Sequence, residues 1–187
     1  LEENSVILGI DPGTTIMGYG VIQVRHKEPN LLILGSLDQR STHDHYEKIL
    51  KIFERTLQLI QDYKPSALAI ESPFYGNNVQ SMLKLGRAQG AAISAALYKR
   101  VPVFEYAPRK IKQSITGYGN ASKEQIAMLL QHILKIELKP ETLDATDGLA
   151  AAMCHYYQMS NIVTTVNRVA GGWSDFIKKN PGRIKGA

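Results

Sequence analysis

Two short apolar runs in this chain each end on a carboxylate. Asp11 closes Val6-Ile7-Leu8-Gly9-Ile10, and Glu71 closes Ala67-Leu68-Ala69-Ile70. Such runs read as buried central strands, and a side chain at the end of a central strand faces the open edge of the sheet, where ligands collect in α/β folds. Asp144 and Asp147 precede a third apolar segment, Leu149-Ala150-Ala151-Ala152-Met153, and their spacing of three puts both on one helix face. Burying a carboxylate costs on the order of several kcal/mol unless a positive group compensates it. If the three segments meet, the natural compensator is a cation, and four carboxylates without His or Cys select Mg²⁺ or Mn²⁺ over zinc. Each signal has a plainer alternative. Asp-Pro-Gly is an ordinary turn, and Asp144 with Asp147 could simply cap a helix and complement its dipole. Glu71 precedes Ser-Pro, where no turn needs a long acidic side chain.

The chain's 187 residues suit one domain with a full core. No apolar run approaches the length of a membrane helix and no signal-peptide pattern opens the sequence, so no membrane association and a cytoplasmic location are expected. A single cysteine, Cys154, rules out an internal disulfide and a cysteine-based zinc site; its apolar neighbours mark it as a small core residue. The net charge of +5 is unevenly spread. From Lys84 to Lys123 eight Lys and Arg face one acidic residue, Glu105, and from Arg168 to Ala187 five face Asp175 alone. A basic middle and tail on an acidic body fit a polyanion partner, or else two solvated faces.

The patterning predicts strands at 5–11, 17–24 and 31–39, with Pro29-Asn30 between the last two, and then a helix over 43–63 whose apolar stripe is Tyr46, Leu50, Phe53, Leu57 and Ile60. A strand at 67–71, a loop at 73–78 and a helix over 79–100 follow. That helix is rich in Gly and Ala, which suits either the core or a contact between subunits. A fifth strand spans 101–106, Pro108 opens a short helix, Ser122-x-x-Gln125 forms a capping box for a helix to Lys135, and the last helix runs from Leu143 to Met159. Past Val169 the Gly- and Pro-containing sequence predicts a basic, flexible tail over 170–187. The expectation is one α/β domain over 1–169.

Several of these segments resemble RuvC-type Holliday junction resolvases. They are Ile7-Leu8-Gly9-Ile10-Asp11-Pro12-Gly13, Gly18-Tyr19-Gly20-Val21-Ile22, Ile70-Glu71-x-x-Phe74, Leu83-Lys84-Leu85-Gly86, Tyr106-Ala107-Pro108-Arg109-x-x-Lys112-Gln113 and Asp144-Ala145-Thr146-Asp147. The matches fall in family order from about Ser5 to Tyr157. The resemblance implies a ribonuclease-H-like fold with a mixed five-stranded sheet flanked by helices. It implies a homodimeric endonuclease that resolves four-way junction DNA by paired symmetric nicks, leaving 5′-phosphate and 3′-hydroxyl ends, with a branch-migration helicase as a candidate partner. It assigns Asp11, Glu71, Asp144 and Asp147 as catalytic metal ligands, for two Mg²⁺ ions per subunit with Mn²⁺ able to substitute, about 4 Å apart. It assigns Phe74 to base stacking near the cut, and Lys112 and Lys123 to DNA phosphates. Two positions depart from the commoner pattern: Thr14-Thr15 replaces a Ser-basic pair after Pro-Gly, and Asn77 stands where many members are basic.

Asp11-Pro12-Gly13-Thr14-Thr15 also resembles the phosphate-binding turn of the actin and sugar-kinase superfamily. That reading needs two such lobes around a nucleotide. One domain of this length supplies one, with no second Gly-Thr hairpin. A non-catalytic DNA-binding module is the other alternative, and the complete carboxylate set argues against it.

Overall fold

The computed structural model describes residues 4–73, 78–138 and 143–168, with side chains to Ser160 in the last stretch. Its strands are β1 (Val6–Asp11), β2 (Ile16–Arg25), β3 (Glu28–Asp38), β4 (Ala67–Glu71) and β5 (Val103–Tyr106). Its helices are α1 (His45–Tyr63), α2 (Val79–Tyr98), α3 (Pro108–Thr116), α4 (Lys123–Leu134) and α5 (Leu143–Arg168). The strands form one sheet in the order β3-β2-β1-β4-β5. The first three make an antiparallel meander, while β4 and β5 join parallel to β1 through the helical crossovers α1 and α2. The mixed five-stranded sheet flanked by helices is thus as the family resemblance implies.

Strand alternation sorts the core into two layers. Leu8, Ile10, Leu68 and Ile70 point to the side covered by α1 and α2, packing with Ile52, Leu59, Ile60, Ala88, Ala92 and Ala96. Ile7 and Ala69 point the other way, into a cluster with Leu130, Leu149, Ala152, Met153 and Cys154 from α4 and α5. With a period of two, Asp11 follows Ile7 and Gly9, and Glu71 follows Ala67 and Ala69, so both acids belong to the α5 side.

Three details differ from the patterning. Pro29 and Asn30 lie inside β3; the chain reverses instead at His26 and Lys27, whose φ values are 49° and 66°. Because β3 is an edge strand, Pro29 removes no obligatory ladder bond. On α1 the buried residues are Ile52, Thr56, Leu59 and Ile60, while Tyr46 and Leu50 are exposed. That helix is apolar over a wide arc and offers two overlapping stripes, and sheet packing selects the one through Ile52 and Leu59. Finally, α5 continues to Arg168, past the expected Met159; the β-branched run from Ile162 to Val166 is a weak helix former, but no Gly or Pro interrupts the segment. The capping box is present with both bonds, Gln125 N–H donating to Ser122 Oγ and Ser122 N–H to Gln125 Oε1.

Candidate active site

The register of the sheet makes the site. Ile10 pairs with Ile70 across the parallel β1–β4 ladder, so Asp11 and Glu71 stand one residue beyond that pair, at the carboxyl ends of neighbouring strands and on one face. Strands in a ladder lie roughly 4.8 Å apart, which leaves the two carboxylates unable to avoid one another. Helix α5 closes over them. Glycines let it approach closely there: a Cβ on Gly9 would lie 2.1 Å from Gly148 O, and one on Gly18 would lie 2.2 Å from Asp144 O. Backbone thus rests on backbone, and the first turns of α5 bring Asp144 and Asp147 to the ends of β1 and β4.

The electrostatics follow from this packing. Burial pushes the Asp11 carboxyl up to about 8, and the charges of Glu71, Asp147 and Asp144 add to the push while Lys123 opposes it. Glu71 is pushed to about 7, again first by burial and then by Asp147, with Lys123 and Lys112 opposing. Asp147 is mostly enclosed, its side chain 16% exposed, whereas Asp144 stands at the rim at 53%. Its place in the first turn of α5 also complements the helix dipole, so the structural reason for an acid there holds alongside the site.

Among the described residues no three Asp, Glu, His or Cys side chains are drawn into a finished metal cage. What the carboxylates share is a lysine. Lys123 Nζ is ion-paired with Asp147 Oδ2 and lies 3.7 Å from Asp144 Oδ1. The donor set nonetheless fits a hard divalent cation. Asp144 and Asp147 contact one ammonium, Asp11 and Glu71 feel its charge and have their own charged forms disfavoured, and neither thiolate nor imidazole is at hand. Cys154 is buried in the core, and His155 Nδ1 is taken up 2.7 Å from the Tyr106 hydroxyl.

Of the basic residues expected here, Lys123 touches the cluster directly and Lys112, on α3, acts on Glu71 through its charge. Phe74 lies outside the described residues, as does the tail over 170–187. Two further residues belong to the site. Arg40, just past β3, is clamped by Asp38, and its guanidinium also feels the charge of Asp144. Gln89, buried on α2, donates to Glu105 Oε2 at 2.8 Å and to the carbonyl of Glu71 at 3.4 Å, holding the end of β4. A lone amide among Ala88, Ala91 and Ala92 was the available signal for Gln89; nothing in the sequence links Arg40 to Asp144.

Comparisons with known proteins give the family. The family model described as "Crossover junction endodeoxyribonuclease RuvC" matches residues 7–155. The crossover junction endodeoxyribonuclease RuvC of Christiangramia forsetii is 53% identical, over 99% of this chain and 95% of its own length. That of Bacteroides fragilis is 55% identical, over 98% and 97% respectively. Among solved structures, Thermus thermophilus RuvC in complex with Holliday junction substrate superposes with a TM-score of 0.76 at 32% identity, covering 83% of this chain and 94% of that one. A match of this extent, over the segment that carries all four carboxylates, places the chain in the RuvC family of crossover junction endodeoxyribonucleases.

Proposed function

We infer that this protein is an endodeoxyribonuclease that resolves Holliday junctions in recombination and repair, and that Asp11, Glu71, Asp144 and Asp147 hold the Mg²⁺ on which hydrolysis depends. The observation that supports this reading is the pairing of Asp11 and Glu71 at the carboxyl ends of β1 and β4, with Asp144 and Asp147 of α5 held beside them by Lys123. When bound, Mg²⁺ would supply the positive charge that polarises a phosphodiester and makes water nucleophilic near neutral pH, and the four carboxylates are the residues that would hold it. The chain supplies the rest. Asp11, Glu71 and Asp147 are half-buried, and Asp144 stands nearest solvent, where DNA would enter. Lys112, Lys123 and Arg40 line the approach with positive charge suited to phosphates. Phe74, three residues beyond Glu71 in the sequence, is assigned to stacking on bases next to the cut on the family resemblance alone, a contact that contributes roughly 1–3 kcal/mol per base.

Symmetric cutting needs two such sites, and we assign the second to another copy of this chain. Helix α2 exposes Val79, Leu83, Gly86, Gly90, Leu97 and Tyr98, an apolar and small-residue stripe at helical spacing. Two-fold pairing through it would relate two sites for nicks in strands of like polarity, leaving 5′-phosphate and 3′-hydroxyl ends. No helix among the described residues is long and apolar enough to cross a membrane, and work on DNA assigns the protein to the cytoplasm.

The test is a synthetic four-way junction incubated with protein and Mg²⁺, beside EDTA and Asp11→Asn controls. Wild type should nick in paired fashion. Asp11→Asn should retard the junction in a native gel as wild type does, yet lose cleavage by about 100-fold or more. Cleavage by Asp11→Asn at the wild-type rate, or a gel shift with no nicks by wild type, refutes the assignment.

A further inference from the structure

Lys123 is left by this function with two incompatible tasks. To grip a phosphate its ammonium must face the DNA, yet it is ion-paired with Asp147 and 3.7 Å from Asp144. A divalent cation held by those same carboxylates would also repel it over a few ångströms in a partly desolvated site. The residue is built to move between the two positions. Its backbone is fixed as the first residue of α4, behind Ser122 and the capping box, while its side chain is 51% exposed and carries the charge on a flexible four-carbon stem. No other Lys or Arg side chain is ion-paired with these acids among the described residues.

We propose that Lys123 is the resident counter-ion of the metal-free site, an ammonium that the entering divalent cation displaces from Asp147 and Asp144 and frees for a DNA phosphate. The proposal rests on the reading of the four acids as metal ligands. It makes metal loading and DNA binding mutually reinforcing: metal releases the lysine to phosphate, and phosphate, by drawing the lysine away, clears the carboxylates for metal. Such coupling is reciprocal by linkage. In metal-free protein Lys123 holds the cluster together, and in loaded protein it contributes nothing there.

The experiment titrates Mn²⁺ calorimetrically into DNA-free protein at fixed ionic strength, for wild type, Lys123→Met and Lys123→Arg, and records melting curves in EDTA and in saturating Mn²⁺. Lys123→Met should bind Mn²⁺ about 3–10-fold tighter than wild type, because its competitor is gone. It should melt below wild type in EDTA and level with it in Mn²⁺. Lys123→Arg, which keeps the charge, should stay within about twofold of wild type. Equal or weaker Mn²⁺ binding by Lys123→Met, a melting deficit that survives saturating Mn²⁺, or Lys123→Arg behaving like the Met variant overturns the proposal. Wild type that takes up no Mn²⁺ at all is a different failure: it removes the metal-ligand reading and the proposal together.

Discussion

Asp11 holds its proton in the folded, metal-free protein well above the pH at which an ordinary carboxyl releases it, about 8 against 3.8, because burial and the neighbouring acids disfavour its charge. Across that window the folded state binds more protons than the unfolded chain, so stability falls as pH rises from about 4 and levels off above about 8. Glu71, raised to about 7, slopes the same way. In EDTA the melting temperature should therefore drop between pH 5 and pH 8. The drop should shrink in Asp11→Asn, and saturating Mg²⁺ should abolish it in wild type by stabilising the ionised acids. Parallel wild-type and Asp11→Asn curves in EDTA would contradict the linkage. At this scale Glu71 was the most legible residue, since no turn or cap explains it. Asp11 and Asp144 each had a plain structural reason, and only the register of β1 against β4 and the seat of α5 give them more. Lys123 reads from sequence as one of eight basic residues in its segment; that it faces acids rather than solvent depends on a contact 24 residues away.

The element that makes the site is α5, and its seating depends on glycine. Gly9 on β1 faces Gly148 O and Ala152 N, at 2.1 Å and 2.5 Å from where a Cβ would sit, and both are backbone atoms that cannot rotate away. Gly9→Ala must lift the helix or bend the strand. Overpacking of this kind costs roughly 1–3 kcal/mol, which lowers the melting temperature by several degrees. The displacement carries Asp144 and Asp147 away from Asp11, so cleavage at a temperature where the variant stays folded should fall by about tenfold or more. A variant with wild-type cleavage and melting would show that α5 does not rest on β1 as described. The sequence showed Gly9, Gly18 and Gly20 but not their purpose, because close approach is a property of two elements more than a hundred residues apart. The same blindness explains α1: its spacing allowed a stripe through Tyr46 and Leu50 or one through Ile52 and Leu59, and only the sheet beneath it chooses.

At the scale of the molecule, the order of elements was legible because most strands and helices alternate with turn or breaker residues, even where a boundary shifted as at Pro29 and Met159, and parallel joining of β4 and β5 follows from helical crossovers long enough to return the chain. What a single chain leaves open is the face of α2. Leu83, Leu97 and Tyr98 lie exposed with Gly86 and Gly90, and nothing lies within 4 Å of a Cβ on either glycine. In the core such glycines would let another element approach, as Gly9 does, but among the described residues of this chain none approaches there. A second copy crossing closely at Gly86 and Gly90 would use the space and cover the leucines. Leu83→Glu is then the informative change, since it adds a charge at an exposed position, where folding tolerates it, but inside a contact, where a buried and unpaired carboxylate is costly. Wild type should sediment as a dimer at micromolar concentration and Leu83→Glu as a monomer with an unchanged circular dichroism spectrum. On a four-way junction the variant should lose coordination, with single nicks accumulating ahead of paired ones. A wild-type monomer, or a Leu83→Glu dimer that still cuts in pairs, would leave this face without that role.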